Sequence, residues 1–263
     1  MPRPPRRTAR VLPPLLAATA VLALGDCSTG DDAQAEEVSA APVAESSATP
    51  RITQRLTEAQ AKAALVTATD LEDDWTQVTN AATWRDTLLL GKVDVAAFLA
   101  GWAGKADAAD CQRLLDALYD DDLLGKVSGA SAVTGFQEDD SRLYYQTAAY
   151  DSRALDTELA WLKQLPVTCA QFTVTGGSGG TRTVQVVENP LPAVGDARQG
   201  LRVTVQGQSN GAPATLTLDA AAVRVGPNAI TLTNGGLDGI ETDSTEQAVR
   251  LGAERLQDVL AGE

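Results

Sequence analysis

The chain has no histidine. That removes the commonest general base and the commonest metal ligand. Neither a Ser-His-Asp or Cys-His catalytic arrangement nor a His-ligated zinc site can be built from it. The chemistry left rests on three cysteines, Cys27, Cys111 and Cys169, on four tryptophans and on 35 acidic side chains. Paired carboxylates could in principle cleave a cell-wall sugar. With so many acids, however, some pair always falls close, and spacing singles out none. Asp120-Asp121-Asp122 and Glu138-Asp139-Asp140 lack the spaced ligands and turn glycine of a calcium loop and read as solvated acidic turns. Gly176–Gly180 has no following Lys-Ser/Thr and opens no helix, so it reads as a hairpin tip rather than a phosphate loop. No catalytic residue, metal ligand or cofactor is assigned.

The tryptophans are the remaining candidates for binding. Trp161 falls near the Leu159–Leu162 face of a helical pattern, partly in the core. Trp75, Trp84 and Trp102 fall near helix ends and loops. There they either line a ligand cleft or seal the core. They are the candidate ligand-binding residues.

Cys27 is set apart by what precedes it. Arg3, Arg6, Arg7 and Arg10 are followed by Val11–Leu24, which carries no charge. This apolar stretch is shorter than the roughly 20 residues that cross a membrane and has the flanks of a secretory signal. Ala23-Leu24-Gly25-Asp26-Cys27 resembles a bacterial lipobox, which implies cleavage before Cys27 and a diacylglycerol thioether on its sulfur, with acyl chains such as palmitate. Asp26 departs from that pattern, which wants a small residue before the cysteine. The competing site is ordinary signal-peptidase cleavage after Gly25, since Ala23-x-Gly25 fits small-x-small. Either cut sends the protein out of the cytoplasm. Residues 1–26 are therefore expected to be a signal peptide, and 27–52 a lipidated N-terminus and tether. Ser28–Ile52 is mostly Ala, Ser, Thr, Pro, Glu and Asp with no aromatic residue, a composition that cannot offset the entropy of ordering.

The formal net charge is −14. Losing residues 1–26 removes four Arg and one Asp, which leaves 17 basic and 34 acidic residues and a net charge of −17. Such a chain is repelled by nucleic acid and anionic headgroups, so membrane attachment is expected through the anchor on Cys27. With Cys27 so assigned, Cys111 and Cys169 are left as a pair in an oxidising compartment, where a disulfide is the economical expectation.

Residues 53–263 read as one α+β domain. Thr57-x-x-Gln60 is a capping box opening a helix to about Thr69. A short helix is expected over Val93–Trp102, another from Asp107 with Cys111, Leu114, Leu115 and Leu118 on one face, and one carrying Leu155, Leu159 and Leu162 that Pro166 stops. Period-two patterns predict strands over Ser131–Gln137, Arg142–Tyr150, Ala170–Thr175, Thr181–Val187, Leu201–Gln206, Ala214–Val225 and Ala229–Thr233. Asp243-x-x-Glu246 caps a last helix with Val249, Gly252, Leu256, Val259 and Leu260 as its stripe. The expected fold is an antiparallel sheet of about seven strands, helices mainly on one face, with one disulfide.

Four stretches together resemble the PknH-like extracellular sensor domain family, found as kinase outer domains and as free-standing lipoproteins of actinobacterial envelopes. They are Leu56–Gln60 continuing to Leu71 and Trp75; the Cys111 helix with Leu165 and Cys169; Val194-Gly195-Asp196 with Leu201–Val205; and Val223-Arg224-Val225-Gly226 with Ile230 and Leu232. The resemblance covers about 52–262 and implies a secreted, disulfide-linked α+β domain with a ligand cleft. Members often have a second disulfide, for which this chain has no cysteines. The expected function is thus a non-enzymatic, lipid-anchored envelope protein, on the extracytoplasmic face of the cell membrane or else secreted. Its sensor-like domain binds a small molecule or envelope polymer in an apolar-lined cleft. The alternatives are a scaffold or adaptor with an exposed apolar patch and an envelope protein partner, and a cell-wall hydrolase using two carboxylates.

Overall fold

The computed structural model describes residues 52–71, 74–81, 94–98, 105–120, 122–139, 141–175, 180–209, 211–237, 239–240 and 242–262. Cys27, the expected signal and nearly all of the expected tether, Trp84, Trp102 and Gly176–Gly179 lie outside the described residues. The chain divides into two units, Met1–Ala48 and Thr49–Glu263, and the described residues all belong to the second.

The elements of this second unit, in order, are α1 (Glu58–Ala63), a 3-10 turn (Ala68–Asp70), β1 (Thr76–Gln77), β2 (Asp94–Phe98), α2 (Lys105–Asp120), β3 (Ser131–Glu138), β4 (Ser141–Ala149), α3 (Ser152–Thr168), β5 (Gln171–Thr175), β6 (Arg182–Glu188), β7 (Ala197–Ser209), β8 (Ala212–Val225), β9 (Asn228–Gly236) and α4 (Thr242–Ala261). Among the described residues the strands form one nine-stranded sheet in the order β1-β3-β4-β9-β8-β7-β6-β5-β2, every pairing antiparallel. The class is the expected one: α+β, an antiparallel sheet, and a disulfide between Cys111 and Cys169 with Cα atoms 5.5 Å apart.

Alternation along β8 shows how the layers are arranged. Leu216, Leu218, Ala220 and Ala222 belong to one core cluster; Ala221, Val223 and Val225 belong to another. Successive side chains point to opposite faces, so the two clusters lie on opposite sides of the sheet. On the first side, α2 and α3 cover the β5–β8 half with Leu114, Leu118, Leu155, Leu162 and Leu165 over Phe172, Val184 and Val203. On the second, α1 and α4 cover the β3-β4-β9-β8 half with Ala61, Val249 and Leu256 over Phe136, Tyr145 and Ile230. The helices are therefore divided between both faces rather than gathered on one. Period two tells which side chains share a face but not which helix lies over it.

Two local expectations change. Residues 94–98 form strand β2 rather than a helix, paired with β5 with a register shift between Val95 and Ala97. Cross-strand pairing there outweighs the local apolar pattern. Pro166 also lies inside α3, which runs two residues further. The capping box at Thr57 is formed with Gln60, as expected.

Candidate ligand groove

Helix α3 positions one wall of the site. Asp151 caps it, its carboxylate accepting hydrogen bonds from the Arg153 and Ala154 amides at 3.0 and 3.2 Å. Ser152, Asp156 and Lys163 are exposed and, with the buried Leu159, follow at helical spacing along one flank of the helix. The opposite wall comes from the β6–β7 connection and the β8–β9 turn. The connection's two ends are held together by the Asn189 amide donating to the Gly200 carbonyl at 3.0 Å.

Between these walls lie two hollows. The first, about 580 Å³, is lined by Asp156, Leu159 and Lys163 of α3 facing Glu188, Leu191 and Arg198. The second, about 610 Å³, is lined by Ile52, Thr53, Ser152, Asp196, Arg224 and Pro227. Arg224 of the second hollow forms an ion pair with Asp156 of the first, so the two hollows adjoin at this pair. Asp156 is two-thirds exposed, and a pair so solvated adds little stability. It therefore opens at little cost to a ligand that competes for either partner.

Two of the stretches that carry the family resemblance meet here. Val194-Gly195-Asp196 crosses over Val223-Arg224-Val225-Gly226. The Asp196 amide donates to the Arg224 carbonyl at 2.8 Å, and the Gly226 amide donates to the Asp196 carboxylate at 2.6 Å. Gly195 has φ +67°, and a Cβ there would stand 2.5 Å from the Arg224 carbonyl oxygen, so the crossing needs glycine. The pattern in the sequence is thus a backbone crossing that holds Asp196, Arg224 and Gly226 together in the wall of the second hollow. Chain order hid it, because its parts are some 30 residues apart.

The groove carries Asp156, Lys163, Glu188 and Arg198 as well as Leu159 and Leu191. It is a mixed-charge trough, not the apolar cleft expected. Trp75 lines neither hollow. It is buried in the α1–α4 core, its indole N–H donating to the Ser244 hydroxyl at 3.2 Å. Trp161 packs between α2 and α3: its N–H donates to Asp110 at 3.1 Å and the Arg113 guanidinium lies 3.9 Å over its ring. Cys111 and Cys169 are both fully buried. The large exposed apolar side chains Val133, Val167, Val187 and Leu237 are distributed over β3, α3, β6 and the turn after β9. Among the described residues no cluster of three or more Cys, Asp or Glu is placed to hold a metal.

No family model matches the chain, and no curated protein matches it. Among solved structures it is similar to the extracellular domain of PknH from Mycobacterium tuberculosis, at 13% identity and a TM-score of 0.41, over 80% of this chain and 99% of that chain. It is also similar to an uncharacterised protein from Mycobacterium smegmatis, at 12% identity and a TM-score of 0.33, over 74% of this chain and 100% of that chain. The first of these is the domain after which the family resembled by the sequence motifs is called.

Proposed function

We propose that this is an extracytoplasmic, lipid-anchored envelope protein whose α+β domain binds a ligand non-catalytically in the groove along α3. The observation that carries the binding reading is the pair of hollows joined at the Asp156–Arg224 ion pair. The mixed charges around it suit a polar or zwitterionic ligand: Lys163 and Arg198 can meet its acidic groups, and Glu188 a basic one. The buried disulfide supports an oxidising compartment. The signal-like N-terminus and Cys27 support export and anchoring. A chain with no histidine and no assigned nucleophile supports recognition over turnover.

The test is native mass spectrometry of the full chain extracted from its own membranes. The expected spectrum shows diacylglycerol mass on a chain beginning at Cys27 and a small molecule lost on denaturation. Asp156→Arg places two cations where the hollows adjoin and should weaken retention of that molecule about tenfold, which is ~1.4 kcal/mol. A ligand-free spectrum, or equal retention by the variant, sinks the groove reading. A lipid-free chain beginning at Asp26 sinks the anchor.

A further inference from the structure

On the face of the sheet opposite α2 and α3, strands β5 to β8 present two rows of side chains in register. One row runs Gln171, Gln185, Thr204, Thr217, each the registered partner of the next. The adjacent row runs Thr173, Thr183, Gln206, Thr215 in the same way. None of these side chains is buried, whereas Phe172, Val184, Val203, Val205 and Leu216 between them point into the core. Every position in both rows is Thr or Gln. Val187, Arg202 and Asp219 form the margin. The Arg202 guanidinium donates to both Asp219 carboxylate oxygens, at 2.8 and 3.0 Å, so the margin adds no net charge.

Such a face is unexpected on a chain of net charge −14. Solvated surfaces are normally interspersed with Lys, Arg, Glu and Asp, and the rows carry none. We propose that this face binds an extended, neutral, β-linked polysaccharide laid across the strands. Threonine hydroxyls and glutamine amides each both donate and accept, which matches the hydroxyls of a sugar chain. Neighbouring strands are about 4.8 Å apart. Alternate strands therefore repeat at about 9.6 Å, close to the two-sugar repeat of an extended β-linked hexose chain, so each sugar meets one strand. An anionic polymer is disfavoured by the charge of the whole chain. The rows contain no aromatic ring, so a single sugar is held weakly. Each hydrogen bond replaces one to water and gains little net, and affinity accumulates only along a polymer.

The experiment mixes the full chain with microcrystalline cellulose and, separately, with chitin, and measures depletion from solution. The wild type is expected to be retained by at least one of them. Thr183→Glu combined with Thr204→Glu puts two charges in the middle of the face without touching the core, and should lower retention about tenfold or more, as the loss of ~1.4 kcal/mol would. Asp156→Arg, in the groove, should be retained like the wild type, which separates this site from the ligand groove. Circular dichroism checks that the double variant folds, and Gln206→Lys is the substitute if it does not. The proposal is overturned if neither polymer depletes the protein, if a folded variant binds as the wild type does, or if its sole change is loss of a dimer in solution.

Discussion

Asp70 is a carboxylate held from several sides. Its oxygens accept from the Thr67 amide at 2.6 Å, the Thr67 hydroxyl at 2.7 Å and the Arg255 guanidinium at 2.8 Å. Burial pushes its pKa up, but the Thr67 hydrogen bonds and the Arg255 charge outweigh burial and hold it below the ordinary carboxylate value of 3.8. A lowered folded-state pKa gives stability that is present above the unfolded value and lost as pH falls through the folded one. Acid unfolding of the wild type should therefore steepen below about pH 4. Asp70→Asn should flatten that limb and cost roughly 1–3 kcal/mol at neutral pH, read from urea midpoints across pH. Tyr145 makes the opposite case. Its hydroxyl is buried with no hydrogen-bond partner among the described residues, and burial pushes its pKa up. A Cβ on Gly252 would stand 2.2 Å from that oxygen. Tyr145→Phe should leave the urea midpoint unchanged or raise it, whereas Gly252→Ala should cost about 1–3 kcal/mol through overpacking.

At the scale of elements, α2 and α3 are joined by the Cys111–Cys169 bridge, the Arg113–Glu158 ion pair and the Trp161–Asp110 hydrogen bond. The bridge spans a sequence separation of 58, for which loop-closure entropy gives about 4 kcal/mol. Replacing both cysteines by serine should lower the free energy of unfolding by about that much, less any strain relieved, in denaturant titrations with and without reductant. Both sulfurs are fully buried, so reduction of the native protein should be slow. The bridge was legible in the sequence because Cys111 shares a helical face with Leu114, Leu115 and Leu118, and Cys169 follows the next helix. Most strands were legible for a similar reason: alternation is a property of neighbouring residues. Strand β2 was not, because its ladder partner Phe172–Thr175 is some 75 residues away and local order there resembles a helix. The groove was legible only as two unexplained motifs, since its walls come from α3, the β6–β7 connection and the β8–β9 turn. The Thr/Gln rows were hidden for the same reason, because a row forms only after four strands are in register.

For the molecule as a whole, the order of layers and the path of the chain matter together. Among the described residues no helix is long and apolar enough to cross a membrane. The attachment proposed at Cys27 would act through the segment leading to Ile52. That segment is fastened as soon as it reaches the sheet. The Asn228 side chain accepts from the Leu56 amide at 2.8 Å and donates to the Gln54 carbonyl at 2.8 Å. Arg55 donates to the Tyr150 carbonyl at 2.6 Å and the Ser128 hydroxyl at 3.0 Å. Asn228→Ala should leave buried backbone groups unpaired and cost about 1–3 kcal/mol, with faster amide exchange at Leu56 as the specific sign. The same fastening has a mechanical side. Tension applied through the N-terminal segment would reach the Ile52 contact first and then the bonds of Asn228 and Arg55, which hold residues 54–56. Ile52, just upstream, is also a wall of the second hollow, with its carbonyl 2.3 Å from where a Cβ on Gly226 would be. A load sufficient to peel residues 52–56 away would unroof that hollow and withdraw Leu56 from the α1–α4 core. A tug on this segment would thus be felt at the proposed groove and at the edge of one core before the ladders of the sheet are pulled apart.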